Sequence, residues 1–201
     1  MKKVKNIFLV LIITLLLTGC KSLFTYENAK IEYLSGKHYV EMSIKDFGVI
    51  KMELDADTAP ISVTNFINLV EEKFYDGNTL HRIYKDFVIQ GGMDATGTHP
   101  NIKGEFDANG VANDISHVRG TVSMARAGDT TSGFDTASTQ FYIVLEDSTF
   151  LDHYYAGFGK VTEGMEVADK IAEKVTNVNA NGEVLNEDDM PIIEYIKKIE
   201  K

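Results

Sequence analysis

The sequence predicts a mainly β domain, a strand-rich barrel that is closed or nearly so and capped by two α-helices. Three observations lead there. Apolar and polar residues alternate with a period of two in several short segments. Only two segments carry the 3.6-residue period of a helix, and no internal repeat or second apolar core breaks the run.

The elements follow in order. Val40, Met42 and Ile44 alternate with Glu41, Ser43 and Lys45; after Asp46-Phe47-Gly48, Ile50, Met52 and Leu54 alternate with Lys51 and Glu53. Two such runs around a short Gly-containing turn read as a β-hairpin. Pro60 suits the first turn of a helix opened by Asp57 and Thr58, and Val63, Phe66, Ile67 and Val70 at i, i+3, i+4 and i+7 give it one buried face; Gly77 closes the stretch. Residues 80–84 and 87–90 read as short strands turning at Lys85-Asp86. Residues 91–118, rich in Gly, Asn, Asp and Thr, read as loop. Further strands are expected at 120–124, 140–145 and 156–161. Val167, Ala168, Ile171, Ala172 and Val175 mark the second helix, residues 176–190 a loop, and 192–199 either a closing strand or a short helix.

Composition bounds the function. The 201 residues, 44% hydrophobic and 25% charged, make one folded domain with a core of its own and exclude a disordered or collagen-like chain. A single cysteine excludes a disulfide framework and a thiolate zinc site. With 30 acidic against 20 basic residues, the formal net charge is −10, which argues against a nucleic-acid partner.

The N-terminus carries an address. Lys2, Lys3 and Lys5 precede an apolar run over residues 7–17, the n- and h-regions of an export signal, and the run is shorter than the roughly 20 residues of a membrane span. Leu17-Thr18-Gly19-Cys20 then resembles a bacterial lipobox, in which the cysteine after the cut carries diacylglycerol; a plain signal peptide with a free thiol is the alternative. The expected organisation is a lipoprotein signal peptide at 1–19, lipidated Cys20 with a tether to residue 37, and one domain over 38–201. Removing residues 1–19 takes away three lysines and no acid, which lowers the net charge from −10 to −13. The tether would span on the order of 20–25 Å as flexible coil; an extra strand packed on the domain is the other reading of it.

The usual catalytic motifs are missing: there is no G-x-S-x-G, H-E-x-x-H, P-loop or Rossmann fingerprint, and His38, His81, His99, His117 and His153 show no metal-ligand spacing. A Ser-His-Asp triad could be assembled from distant residues, but nothing singles one out. Residues 80–92, Leu-His-Arg-Ile-Tyr-Lys-Asp-Phe-Val-Ile-Gln-Gly-Gly, are instead similar to the signature of the cyclophilins, the peptidyl-prolyl cis-trans isomerases. Gly120-Thr121-Val122-Ser123-Met124-Ala125-Arg126-Ala127, Ser138-Thr139-Gln140-Phe141-Tyr142-Ile143, Phe150-Leu151-Asp152 and Ala156 to Gly164 resemble further blocks in the family's order. The resemblance runs from about Val40 to the C-terminus.

It implies an eight-stranded antiparallel barrel closed by two helices, and no cofactor or metal. It implies Arg82, Phe87 and Gln90 as catalytic residues. Met124, Gln140, Phe141, Phe150, Leu151 and Tyr155 become groove or proline-pocket positions, and Ala125 and Arg126 main-chain contacts to an extended peptide. The residue types suit the reaction. Rotation about an X-Pro bond breaks amide resonance against a barrier of roughly 18–20 kcal/mol. An apolar wall favours the less polar twisted amide, and an always-charged arginine can donate to its localised nitrogen lone pair. Each residue also has a plain reading: Arg82 a surface charge, Phe87, Met124 and Phe141 core, Gln90 an ordinary strand residue. Strict alternation puts Phe87 and Gln90 on opposite faces, so their convergence requires a bend.

Departures from the family pattern are specific. Phe150 stands where many relatives have tryptophan, which predicts weak binding of cyclosporin-type ligands, and Arg126 replaces an asparagine. His153 occupies a usual glycine position, Met93 stands where an aspartate is common, and the loop over 128–137 is long. The resulting expectation is a monomeric isomerase, lipid-anchored on the outer face of the cell membrane, acting on exported proline-containing chains. Rival readings are a proline-peptide binding module with little turnover and, from the anchor alone, a solute-binding lipoprotein.

Overall fold

The computed structural model describes residues 32–128 and 130–201, so the expected export signal, Cys20 and residues 21–31 of the expected tether lie outside the described residues. Residues Tyr33–Lys201 form one compact unit. It starts ahead of the expected boundary at residue 38. Leu34 N–H donates to Thr64 Oγ1 at 2.8 Å and Gly36 N–H to Asp57 Oδ1 at 2.7 Å, which fastens this end of the expected tether to the domain.

Among the described residues the chain forms β1 (Lys37–Ile44), β2 (Gly48–Asp55), α1 (Pro60–Glu71), β3 (Leu80–Tyr84), β4 (Val88–Gly91), β5 (Thr121–Met124), β6 (Phe141–Val144), β7 (Gly157–Glu163), α2 (Met165–Lys174) and β8 (Ile193–Ile199). The last segment is thus a strand, not a helix. Every pairing is antiparallel, in the spatial order β3-β4-β6-β5-β7-β2-β1-β8. The alternation explains the hairpin: Val40, Met42, Ile44, Ile50, Met52 and Leu54 are all buried. The helical stripes hold as well, with Val63, Phe66, Ile67 and Val70 of α1 and Val167, Ala168, Ile171 and Ala172 of α2 buried.

The expected closed barrel is corrected to an open eight-stranded sheet, because edge strands β3 and β8 form no ladder. They touch at one end only: Thr79 pairs with Ile192, Leu80 N–H donates to Pro191 O at 2.9 Å and Ile193 N–H to Asn78 O at 2.8 Å. Beyond that point a small hairpin, Val178 paired with Val184, takes the outer edge of β3, through Ile83 N–H to Gly182 O and Val184 N–H to His81 O. That edge is satisfied, so β8 has nothing left to pair with there.

The start of α1 is held from a distance. Pro60 sits in the first turn as expected, but no neighbouring side chain caps the helix. Asp57 bonds Gly36, and Thr58 bonds Asp55. The buried carboxylate of Glu105, only 1% exposed, instead accepts Ile61 N–H at 2.9 Å, Ser62 N–H at 2.7 Å and Ser62 Oγ–H at 2.7 Å. Phe66 of α1 then centres the core, its ring 5.1 Å from Tyr75, 5.3 Å from Phe141 and 5.3 Å from Phe158.

Candidate active site

Register decides which side chains meet. Arg82 of β3 pairs with Gln90 of β4, Gln90 with Tyr142 of β6, and Tyr142 with Ser123 of β5. Paired residues on antiparallel strands project to the same side, so these four form a row on the face turned away from the main core. The adjacent row, Gly91, Phe141 and Met124, projects into that core.

On the outer face Val88, Tyr142, Val144 and Leu151 form a second, smaller apolar cluster, with Phe87, Ala125 and Tyr155 packed against it. It floors a cavity of about 170 Å³, with Arg82, Gln90 and Arg126 at its border. The bend that Phe87 requires comes from Asp86, whose φ of +62° is left-handed. Phe87 therefore lies just outside β4, free of its alternation, and reaches the same cavity as Gln90.

Arg82 is fixed on two sides. Its Nη1–H donates to Gln90 Oε1 at 3.1 Å and its Nε–H to the Asn181 carbonyl at 2.7 Å. The guanidinium carbon lies 5.7 Å from the Phe87 ring centre and 5.6 Å from that of Tyr84, both within cation–π range. Gln90 in turn donates through Nε2 to Gln140 Oε1 at 2.9 Å. Gln140 lines a neighbouring cavity of about 320 Å³ that shares Gln90, Ala125 and Arg126 with the first. Arg126 stands between the two, its guanidinium 4.3 Å from the Tyr155 ring centre and its Nε–H on Tyr154 O at 3.0 Å. Ala125 N–H already donates to Gln140 O at 3.0 Å, so a main-chain contact to a peptide there falls to its carbonyl.

Two of the expected groove residues are elsewhere. Met124 and Phe141 are each 1% exposed and belong to the main core, not to the cavity wall. Their places are taken by Val88 and Tyr142, which sequence reasoning passed over. The signal was available in the alternation: Phe141 and Tyr142 are consecutive on one strand and cannot share a face, and Tyr142 is the residue opposite Gln90. Leu151 and Tyr155 line the cavity as expected. Phe150, 71% exposed, stacks on Phe87 at 5.7 Å and 24° and extends the wall outward. His153 does adopt the left-handed turn its position implied, at φ +67°, with Nδ1 bonded to Asp107.

A Ser-His-Asp array does exist behind the cavity floor. His117 Nδ1 bonds Asp152 Oδ1 at 2.8 Å, and Nε2 bonds Ser123 Oγ at 3.0 Å. Ser123 is fully buried, so its hydroxyl meets no substrate; the array ties the Leu151–Asp152 turn to β5. Burial pushes His117 below the usual imidazole range, against the pull of Asp152. Burial alone would raise Asp152, but hydrogen bonds from His117 and Ser116 outweigh it and hold the carboxyl low. The Tyr142 hydroxyl is buried and makes no hydrogen bond of good geometry among the described residues; burial drives the phenol well above its ordinary range and outweighs the nearby Ser123 hydroxyl, which pulls it down. Among the described residues no group of His, Cys, Asp and Glu is arranged to hold a metal ion.

The model of the family "Cyclophilin type peptidyl-prolyl cis-trans isomerase/CLD" matches residues 39–195. Peptidyl-prolyl cis-trans isomerase A of Dickeya dadantii is 44% identical over 165 residues, covering 77% of this chain and 80% of that protein. Peptidyl-prolyl cis-trans isomerase B of Bacillus subtilis is 38% identical over 146 residues, covering 72% and 92%. In fold, the chain is similar to a cyclophilin-type isomerase of Cryptosporidium parvum, with a TM-score of 0.68, 23% identity and coverage of 83% of this chain and 99% of that one. A second crystal structure of that protein, determined in the presence of the dipeptide Ala-Pro, gives a TM-score of 0.67 at 24% identity, covering 81% and 99%.

Proposed function

This chain belongs to the cyclophilin-type peptidyl-prolyl cis-trans isomerases, and from that premise we propose how its own residues turn over an X-Pro bond and where they do so. The proline ring enters the 170 Å³ cavity and rests on Val88, Tyr142, Leu151 and Phe87. These walls supply little hydrogen bonding to a planar amide, so they favour the twisted one. Arg82 donates to the proline nitrogen as its lone pair localises, while Gln90 holds the guanidinium and Gln140 holds Gln90. No bond to the substrate is made or broken, so neither nucleophile nor cofactor is called for.

The magnitudes are compatible. Raising a step of ~10⁻² s⁻¹ to ~10³ s⁻¹ requires about 7 kcal/mol. A hydrogen bond from a charged donor supplies about 1.5–3 kcal/mol. Desolvation by the apolar floor and alignment of the peptide supply the remainder. The observation that carries the reading is the doubly held guanidinium at the border of a cavity of about 170 Å³ floored by Val88, Tyr142 and Leu151.

The test is isomerisation of an Ala-Pro peptide by the purified protein beside Arg82→Ala, with kcat/KM expected to fall about tenfold to a hundredfold. Proline peptides bound by the parent without turnover would instead make it a recognition module. Phe150, standing where many relatives have tryptophan, predicts weak cyclosporin inhibition, measurable in the same assay.

The protein's place is read from its N-terminus. Lys2, Lys3 and Lys5, the apolar residues 7–17 and the Leu17-Thr18-Gly19-Cys20 sequence support export and a diacylglycerol anchor on Cys20. The domain then works as a monomer on the outer face of the cell membrane, on exported chains whose X-Pro bonds isomerise over tens to hundreds of seconds unaided. Labelled palmitate in the parent, its absence in Cys20→Ala and release of that variant from membranes are the expected results. Parent protein found wholly in the soluble fraction overturns the anchor.

A further inference from the structure

The hairpin over residues 177–184, read from sequence as plain loop, is built around Arg82. Arg82 pairs with Glu183 across the two strands, flanked by Ile83 N–H to Gly182 O at 2.6 Å and Val184 N–H to His81 O at 2.9 Å. Next to the first of these bonds, the Asn181 carbonyl accepts Arg82 Nε–H at 2.7 Å. The turn is braced from within, because Asn179 Oδ1 accepts Asn181 N–H at 2.9 Å and Glu183 N–H at 3.0 Å. Gly182 sits at φ +80°, where a Cβ would meet Tyr84 Cβ at 2.7 Å and Ile83 O at 2.9 Å. Only glycine lets the hairpin lie this close to β3.

Resting on the role given to Arg82 above, we propose that this hairpin is a positioning element for the catalytic guanidinium. The Asn181 carbonyl fixes the Nε edge and Gln90 fixes Nη1, leaving Nη2 as the nitrogen without a partner among the described residues. A free arginine side chain loses considerable rotamer entropy when it is held in one geometry. The hairpin removes that loss from the reaction by holding the side chain before substrate arrives. The acceptor is main chain, so the device depends on the shape of the turn and not on the side chain of Asn181.

Gly182→Ala tests it, with kcat expected to fall about tenfold and KM to stay within about twofold. In an Arg82→Ala background the same substitution should change kcat by less than about twofold, since there is no guanidinium left to position. If Gly182→Ala does not fold, Asn179→Ala, which only loosens the turn, replaces it and should lower kcat in the same Arg82-dependent way. Equal losses with and without Arg82 would mean that the hairpin merely stabilises the fold, and would overturn the proposal. A second readout is independent of activity: in ¹⁵N NMR the Arg82 Nε–H should exchange slowly with water in the parent and fast in Gly182→Ala. Fast exchange in the parent also overturns it. If Arg82→Ala were to keep the parent kcat, the catalytic reading would fail, while slow Nε–H exchange would still separate a held guanidinium from a loose one.

Discussion

Phe141 and Tyr142 are neighbours on one short strand, yet Phe141 is wrapped by Phe66 and Tyr75 in the main core while Tyr142 floors a cavity open to solvent. The same contrast holds for the two apolar clusters that share β4 and β6. The inner one joins both helices and most strands, and its polar groups are satisfied, as in Tyr75 donating to Thr139 O at 2.9 Å. The outer one is small, bordered by two arginines and two glutamines, and keeps a buried hydroxyl with no well-formed hydrogen bond among the described residues. Stability is concentrated on one side of the sheet and recognition on the other, and a shift of one residue moves a side chain between them.

Removing one aromatic from each cluster gives the largest effect that separates them. Phe141→Ala should destabilise the domain by about 3–5 kcal/mol in denaturant unfolding, while kcat per folded molecule stays within about threefold of the parent. Tyr142→Ala should do the reverse in emphasis, lowering kcat/KM about tenfold or more through the lost pocket floor. A collapse of kcat in folded Phe141→Ala would return that residue to the pocket and undo the division. Tyr142→Phe sharpens the comparison with a smaller change. It deletes the buried hydroxyl and keeps the ring, so stability should rise by about 1 kcal/mol with kcat/KM little altered. A loss of stability would show that the hydroxyl's contact with Ser123 is a working hydrogen bond.

Sequence pattern reached the parts of this molecule that local chemistry dictates. The β1–β2 hairpin and both helices follow from periods of two and 3.6 acting on residues a few positions apart. Arg82, Phe87 and Gln90 were found through a motif confined to one hairpin. What escaped depends on partners far along the chain. The cap on α1 comes from Glu105, 44 positions beyond Ile61. The open seam arises because residues 178–184, an Asn-rich stretch with no apolar period, occupy the β3 edge. Tyr142 was displaced by Phe141 because both are aromatic, and only the pairing with Gln90 tells them apart. The hold on Arg82 by a carbonyl has no side-chain signature at all.

The smallest expected effect concerns the buried imidazole behind the outer cluster. In the unfolded chain His117 titrates near the ordinary value of about 6.5, whereas in the folded domain burial holds it lower. Below pH 6.5 the unfolded chain therefore binds a proton that the folded one refuses, and stability falls as pH drops through this window. Above it both states are neutral and the slope vanishes. Asp152, held low, adds its own loss only below about pH 3.9, so the two are separable on the pH axis. His81 is lowered in the same sense, chiefly by burial, and shares the window with His117. Thermal unfolding of His117→Gln should accordingly be less pH-dependent between 7 and 5 than that of the parent, and a further His81→Gln should reduce the slope again. Among the described residues His117 is the one fully buried imidazole, and it stands behind the outer cluster. Amide exchange at pH 5 should thus rise first in the Leu151–Asp152 turn and in β5, while β1, β2 and α1 keep their protection. An unchanged slope in His117→Gln, or loosening that begins in α1, would detach the pH response from the outer face.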